Sequence, residues 1–249
     1  YGLLLCIRST LNSPSTYRRS YLCVLRTIIF CLGFYQDFFI DPLFFLCYYQ
    51  LKGGSMLPTI LEAKAILKEA EESNPGPWGD HSRICAYCAK TISKATEELD
   101  PEKAYILGLL HDIGRKFGKR HLGHVSDGYA YMLKLGYDEV ARVCLTHSFN
   151  NLKTDQYIGE FDTDDKELEL IKKGLETLVV DDYDYLIQLC DALAGTEGIM
   201  NIEDRMLDVK NRYGSYPQDK WDRNLELFNY FAGLIQREII ARTPLNDCR

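Results

Sequence analysis

The sequence lacks the excess of basic residues that a nucleic-acid-binding protein usually carries. Its 249 residues include 29 Lys and Arg against 36 Asp and Glu, which gives a net charge of −7 at pH 7. Residues 1–55 have a net charge of +3, so the remainder of the chain carries −10. Because a nucleic-acid footprint needs a basic face, we expect no broad contact with DNA or RNA. A small phosphorylated substrate remains compatible with this charge.

Long apolar runs are also missing. The apolar segment 21–51 is interrupted by Arg26, Asp37 and Asp41, and its longest charge-free pieces have ten residues each. A membrane-spanning helix needs about 18 or more. The early basic region, single apolar block and small-residue cleavage site of a secretory signal are absent as well. We therefore expect a cytoplasmic protein, with no membrane association of residues 56–249.

Cysteine is present in nine copies, but without the regular spacing of a disulfide framework. Cys85 and Cys88 form a Cys-x-x-Cys pair inside a helical pattern, with no second pair and no strand before it. We expect these cysteines to be ordinary reduced thiols in the core or on the surface.

The first 55 residues differ in character from the rest. The segment Lys-Gly-Gly-Ser-Met at 52–56 is what a purine-rich bacterial ribosome-binding sequence encodes when it is translated in frame before a start codon. We expect that Met56 is the natural start, that residues 1–55 are upstream sequence read as protein, and that residues 56–249 form the functional domain. The alternative is a small hydrophobic anchor or a partner-binding segment.

From residue 56 onward, apolar residues recur at helical spacing with almost no strand alternation, which predicts an all-α fold. The helix at 101–112 is apolar on every side and is expected to be the central helix of a bundle. The polar segment 150–163 is predicted to be a loop that could form a lid over a site. Proline, glycine and capping residues delimit the helices, which we place at about 57–72, 80–99, 101–112, 124–135, 138–147, 164–178, 183–195 and 219–241.

Polar residues with metal-binding capacity fall on the apolar faces of five of these helices. Taken alone, each is more often a hydrogen-bonded core residue than a ligand. A histidine next to an aspartate at the end of a buried helix is costly unless something compensates both groups, and a metal ion compensates both. His121, the fifth histidine, lies in a basic loop and is expected to be solvated or to support the site. The candidate metal ligands are His81, His111, Asp112, His124, His147 and Asp191.

The motif Leu-Leu-His-Asp-Ile-Gly at 109–114, in an all-helical context, resembles the HD-domain superfamily of metal-dependent phosphohydrolases. The segment 81–89 is similar to the first ligand helix of that family, and 190–193 is similar to its last. His124 and His147 match two extra histidines of subfamilies that bind two metals, among them the symmetrical dinucleoside tetraphosphate hydrolases.

The resemblance covers about residues 70–200 and implies an HD-domain helical bundle with the metal site between the central helices. It implies one divalent ion on His81, His111, Asp112 and Asp191, and a second on His124 and His147, with Asp112 bridging the two. Nitrogen and oxygen ligands suit Fe, Mn, Co, Ni or Zn, among which the sequence does not choose. Two such ions would activate a hydroxide for attack on phosphorus.

Arg115 stands where many relatives carry lysine, and its guanidinium suits a phosphate clamp; the alternative is a surface residue of the basic loop. Lys116 and Lys119 are expected to be solvated, and Arg205 and Arg212 could reach toward the pocket. The aromatic stripe of the last helix fits either the core or the interface of a homodimer.

The function expected from this pattern is hydrolysis of a phosphoester or phosphoanhydride in a nucleotide-like small molecule, with Asp112 and Arg115 as catalytic residues. A di-iron oxygenase on the same scaffold is one alternative. A second is a nucleotide-binding regulatory module without turnover, and a third is a helical protein without metal.

Overall fold

The computed structural model describes residues 57–242. This part of the chain contains nine α-helices and two short 3-10 segments but no β-strand, which confirms the all-α prediction. The proposed start at Met56 and the segment before it lie outside the described residues. The helices are α1 (Ile60–Ser73), α2 (Trp78–Thr96), α3 (Pro101–Leu110), α4 (Gly123–Lys134), α5 (Asp138–Thr146), α6 (Asp165–Thr177), α7 (Asp182–Leu193), α8 (Ile202–Tyr213) and α9 (Gln218–Arg242), with 3-10 segments at Ile113–Phe117 and Thr154–Gln156.

Local sequence sets the starts of several helices. At α1 the Thr59 side chain accepts from the backbone N–H of Glu62, whose carboxylate accepts from the N–H of Thr59. At α3 the Asp100 carboxylate accepts from the N–H of Glu102 at 2.8 Å, and Pro101 occupies the first helical position. These interactions satisfy N–H groups that a helix leaves without intrahelical partners, so both helices begin close to where the sequence predicts.

Helix α3 is buried on all sides from Ile106 to Leu110, where its sequence is uniformly apolar, and it packs against α1, α2, α5 and α7. A Cβ atom at Gly108 would lie 2.8 Å from the Cα of Ala86 in α2. The two helices therefore approach as closely as they do because residue 108 has no side chain. A second, smaller core lies between α4, α5 and α6 and contains Leu122, Val125, Leu145, Phe149, Ile171 and Leu175.

Helix α8 is absent from the sequence-based assignment. Only Ile202 and Met206 of this helix are buried, so its apolar periodicity is too weak to stand out. Its limits are nevertheless encoded: the Asn201 side chain caps its first turn, and Gly214 ends it with φ = 80°. None of the helices within residues 57–242 has both the length and the apolarity needed to cross a lipid bilayer.

Candidate metal centre

The structure brings the six candidate ligands together from five helices or their ends. They form two overlapping groups, His81, His111 and Asp112 in one, and Asp112, His124 and His147 in the other. Within each group one potential ligand atom per residue lies within 4.8 Å of the others. Asp191 adjoins the first group, with its Oδ1 2.9 Å from Nε2 of His81 and 3.7 Å from Nε2 of His111.

Glycines allow the backbone approach that assembles this centre. The 3-10 segment that follows Asp112 packs directly on α4, where a Cβ at Gly114 would overlap the carbonyl oxygen of His124 and lie 2.5 Å from the nitrogen of Gly128. On the opposite side, Gly108 holds α3 against α2, and the ring centroids of His81 and His111 are 5.3 Å apart. Backbone packing therefore places Asp112 between the two groups of histidines.

All four clustered histidines have their Nδ1 atoms directed at backbone carbonyl oxygens. Those of His81 and His111 lie 3.1 Å from the oxygen of Ala194 and 2.8 Å from that of Gly108. The other two pairs are His124 with the oxygen of His121, and His147 with that of Cys144 at 2.9 Å. A carbonyl can only accept, so Nδ1 carries the hydrogen and a neutral ring presents the lone pair of Nε2. This is the tautomer and orientation of a metal-binding histidine.

Two of the atoms that face the centre have no hydrogen-bond partner within residues 57–242, although Nε2 of His81 is bonded to Oδ1 of Asp191 at 2.9 Å. Oδ1 of Asp112 is buried and lies 3.1 Å from Nε2 of His124 and 3.5 Å from Nε2 of His147, yet it has no hydrogen-bond partner in the described part of the chain. Nε2 of His111 is likewise buried without a partner there. Buried polar atoms normally have partners. A divalent cation between these atoms would satisfy both, so the donor set fits a metal ion.

The electrostatics of the centre favour added positive charge. Burial raises the pKa of Asp112, but Arg115 and His124 lower it by more, so this carboxyl stays ionised. Burial also raises the pKa of Asp191, and its contacts with His111 and His81 reverse that effect. Burial lowers the pKa of His111, but Cys85 and Asp191 raise it well above its ordinary value. Two anionic carboxylates are thus held in a largely dry site, where a cation is strongly stabilised.

Arg115 contacts the centre through Asp112, with Nε donating to Oδ2 at 2.6 Å. Its side chain is about one-third exposed, at 34%, and it lines the cleft beside the centre. The expectation that Lys116 is solvated is wrong, because its ammonium donates to Glu69 at 2.8 Å and to Tyr131 at 3.2 Å. Lys119 is exposed, as expected.

His121 supports the centre through its backbone. Its carbonyl orients His124, and its own N–H donates to Oδ2 of Asp162 at 2.6 Å. Asp162 also accepts from the N–H of Gly123 at 2.8 Å. The segment predicted as a loop and lid is therefore fixed to the start of α4 at this point.

The four cysteines within residues 57–242 are buried free thiols, in agreement with the prediction of reduced core thiols. They are Cys85, Cys88, Cys144 and Cys190.

The centre opens to a cleft with two lobes that share Arg115, Asp191 and Arg205. The large lobe has a volume of about 670 Å³ and reaches Trp78 and Arg212. The small lobe has a volume of about 130 Å³, and its wall includes Ser148, Asn150, Tyr157, Gln188, Lys220 and Asn224. Arg205 and Arg212 do line the cleft, in line with the expectation from sequence.

Residues 78–196 match the family model described as HD domain. This segment is therefore similar to HD domains. It contains all six candidate ligands and Arg115, whereas α1, α8 and α9 lie outside it. HD domains form a superfamily of metal-dependent phosphohydrolases, and the His/Asp cluster of this segment fits a metal site. The comparison with curated proteins found no match, and neither did the comparison with solved structures.

Sequence reasoning did not identify two polar residues near the centre. The hydroxyl of Ser148 lies 3.0 Å from Nε2 of His147, and the ammonium of Lys220 donates to the carbonyl oxygen of Ser148 at 2.6 Å. Ser148 directly follows the candidate ligand His147 in the sequence, and this adjacency could have indicated that Ser148 lies near the centre. Lys220 lies at the start of α9, and its sequence context gives no sign that it faces the cleft.

Proposed function

We propose that this protein is a phosphohydrolase that cleaves a phosphoester or phosphoanhydride in a nucleotide-like small molecule, using two divalent metal ions. The observation that carries the proposal is the convergence of four histidine Nε2 atoms on two buried or half-buried carboxylates. His81, His111, Asp112 and Asp191 would hold one ion, and His124 and His147 would hold the other with Asp112 between them. The HD-domain match supports this assignment.

Different residues have different roles in the proposed reaction. Asp112 and Asp191 supply the negative charge that retains the ions, and the four backbone carbonyls fix the histidine rings. When bound, the metal ions supply positive charge that polarises a phosphoryl oxygen and lowers the pKa of water. Arg115 holds Asp112 through Nε and lines both lobes, so its positive charge faces the position of a phosphoryl group.

The charge of the large lobe favours a phosphorylated substrate over an apolar one. Four cationic side chains (Arg115, Lys119, Arg205 and Arg212) line this lobe against three aspartates (Asp112, Asp191 and Asp208), and Arg205 and Arg212 both pair with Asp208. Guanidinium groups suit phosphate because their N–H donors match its oxygens in pairs. This observation supports phosphohydrolase activity rather than oxygenase activity on the same scaffold.

The test measures hydrolysis by the full chain loaded with manganese or iron, detected as the phosphate, nucleotide or p-nitrophenol that each compound releases. The substrate panel contains nucleoside mono-, di- and triphosphates, dinucleoside polyphosphates and bis(p-nitrophenyl) phosphate. Asp112→Asn keeps the size of the side chain and removes its charge, so we expect loss of bound metal and at least a roughly 100-fold loss of turnover. Asp204→Asn, at an exposed position on α8, is the matched control and should retain both.

Two other outcomes would contradict the proposal. Fully metal-loaded protein that hydrolyses none of these compounds would favour a regulatory module, or an oxygenase if it consumes oxygen. Protein that retains no transition metal under any condition would indicate a helical protein without a metal centre.

A further inference from the structure

The small lobe contains a lysine ammonium without a nearby carboxylate. Lys220 extends from the start of α9 to the carbonyl oxygen of Ser148, a neutral acceptor, at 2.6 Å. Within residues 57–242 no ion pair to this ammonium is formed, and Asp191 and Asp219 act on it only at longer range. Lys220 is half-buried, and a cation partly withdrawn from water is stabilised by a nearby anion. The position of Lys220 therefore calls for an anionic ligand.

The amide donors of the small lobe are engaged with one another or with the backbone. The Asn150 amide donates to Asn224 at 2.7 Å, and Asn224 donates to the hydroxyl of Tyr216 at 2.8 Å. Gln188 donates to the carbonyl oxygen of Thr146 at 3.0 Å. These bonds fix the walls of the lobe. Oε1 of Gln188 has no partner within residues 57–242, but it is an acceptor, so the Lys220 ammonium is the donor that faces an anion.

The remaining charges of the small lobe also favour an anion. Its two arginines are held by carboxylates, Arg115 by Asp112 and Arg205 by Asp208. Among the residues that line the lobe, Asp191 is the single carboxylate, and it belongs to the metal centre. Burial lowers the pKa of Lys220 to about 8, so the amine is still protonated at neutral pH.

The sizes of the two lobes differ by a factor of about five. Pockets that enclose a drug-sized ligand have volumes of about 300–1,000 Å³, a range that includes the large lobe at about 670 Å³. The small lobe, at about 130 Å³, is below this range and suits a group the size of one phosphoryl. A nucleoside therefore fits on one side of the metal centre only.

We propose that the small lobe binds, through Lys220, a second phosphoryl group linked to the one at the metal centre. The substrate is then a nucleotide with at least two linked phosphoryl groups. It is neither a phosphomonoester nor a symmetrical dinucleoside polyphosphate, whose two nucleosides need two large lobes. This inference rests on the proposed function for its chemistry, but the binding of a diphosphate group can be measured without turnover.

The reaction that follows is hydrolysis of the anhydride next to the nucleoside-bearing phosphoryl group. The oxygen of water forms a bond to that phosphorus, and the P–O bond to the phosphoryl group in the small lobe breaks. The electron pair of this bond remains on the departing phosphate, and the proton of water is released. A nucleoside diphosphate thus gives a nucleoside monophosphate and inorganic phosphate.

The test compares binding of methylenediphosphonate and methylphosphonate to the manganese-loaded full chain by calorimetry. Lys220→Met removes the charge at similar size, and Lys210→Met, at an exposed position on α8 that lines neither lobe, is the matched control. A hydrogen bond to a charged group accounts for about a 10- to 100-fold difference in affinity. We expect a loss of that size for the diphosphonate in Lys220→Met, a loss of less than about twofold for the monophosphonate, and neither loss in Lys210→Met.

A loss of equal size for both phosphonates, or no loss in Lys220→Met, would overturn the assignment of the small lobe. Lys220→Gln provides a second neutral variant if the methionine variant does not fold. Measurements of turnover distinguish the proposed phosphohydrolase activity from the proposed diphosphate site. If monoesters or symmetrical dinucleoside tetraphosphates are hydrolysed faster than nucleoside diphosphates, the phosphohydrolase stands and this inference fails. If no compound is hydrolysed while Lys220 still selects the diphosphonate, the proposed activity fails and the diphosphate site stands.

Discussion

Substitution of Gly114 by alanine tests whether the close packing of the 3-10 segment on α4 assembles the metal centre. The added Cβ would overlap the carbonyl oxygen of His124 and lie 2.5 Å from the nitrogen of Gly128. Both are backbone atoms, so neither can rotate away and the 3-10 segment must shift. Overpacking of this kind costs about 1–3 kcal/mol. For a domain of this size that lowers Tm by about 2–12 °C.

The same shift should weaken metal binding, because Asp112 lies two residues before Gly114. We expect Gly114→Ala to lower both the urea midpoint of the metal-free protein and its manganese content after dialysis. Gly233→Ala is the matched control. A Cβ at this position of α9 would have no atom within 4 Å, so alanine there should stabilise by up to about 1 kcal/mol. If Gly114→Ala has the stability of the wild type within about 0.5 kcal/mol and retains its metal, the packing argument is wrong.

Two further predictions concern pH and helix α8. Burial, together with Arg115, lowers the pKa of His124 to about 4, against about 6.5 in an unfolded chain. Between these values the unfolded chain binds a proton that the native protein does not, so His124 makes the metal-free protein less stable as pH falls, by up to about 3 kcal/mol. The free energy of unfolding, measured in urea, should therefore decrease less between pH 7 and pH 4.5 in His124→Gln than in the wild type. An equal decrease in both proteins would refute this. Asn201→Ala removes the cap of α8 and should lower the free energy of unfolding by about 1 kcal/mol. Asn201→Asp keeps a capping oxygen and should remain near the wild type. Equal destabilisation by both variants would show that the cap hydrogen bonds are not the cause.

The parts of the fold that the sequence predicts are those with strong local signals. The apolar helix α3, the cap at Asp100 and the Gly-containing motif after His111 each require particular residue types at fixed spacing. The six candidate ligands can be named because polar residues on apolar faces are conspicuous. Their assembly into one centre cannot be measured from sequence, since it depends on backbone contacts such as that of Gly114 with α4.

The parts that the sequence does not predict depend on tertiary packing. Lys116 is expected in solvent because it follows a turn and lies among basic residues, yet Glu69 and Tyr131 enclose its ammonium. The helix α8 buries only two side chains, so no periodic pattern indicates it. The position of Lys220 depends on how α9 packs near the residue after His147, and spacing along the chain contains no information about that packing.

The carbonyl acceptors that orient the four histidines have a consequence for the evolution of this protein. These acceptors belong to the main chain of Gly108, His121, Cys144 and Ala194, so every amino acid at those positions supplies the same oxygen. If the acceptor were instead the side chain of an aspartate or glutamate, a single substitution would remove it. The ligand geometry of this chain is therefore insensitive to the identity of the side chains that carry three of these supports. Gly108 is the exception, because any side chain there would meet the backbone of α2 and displace α3.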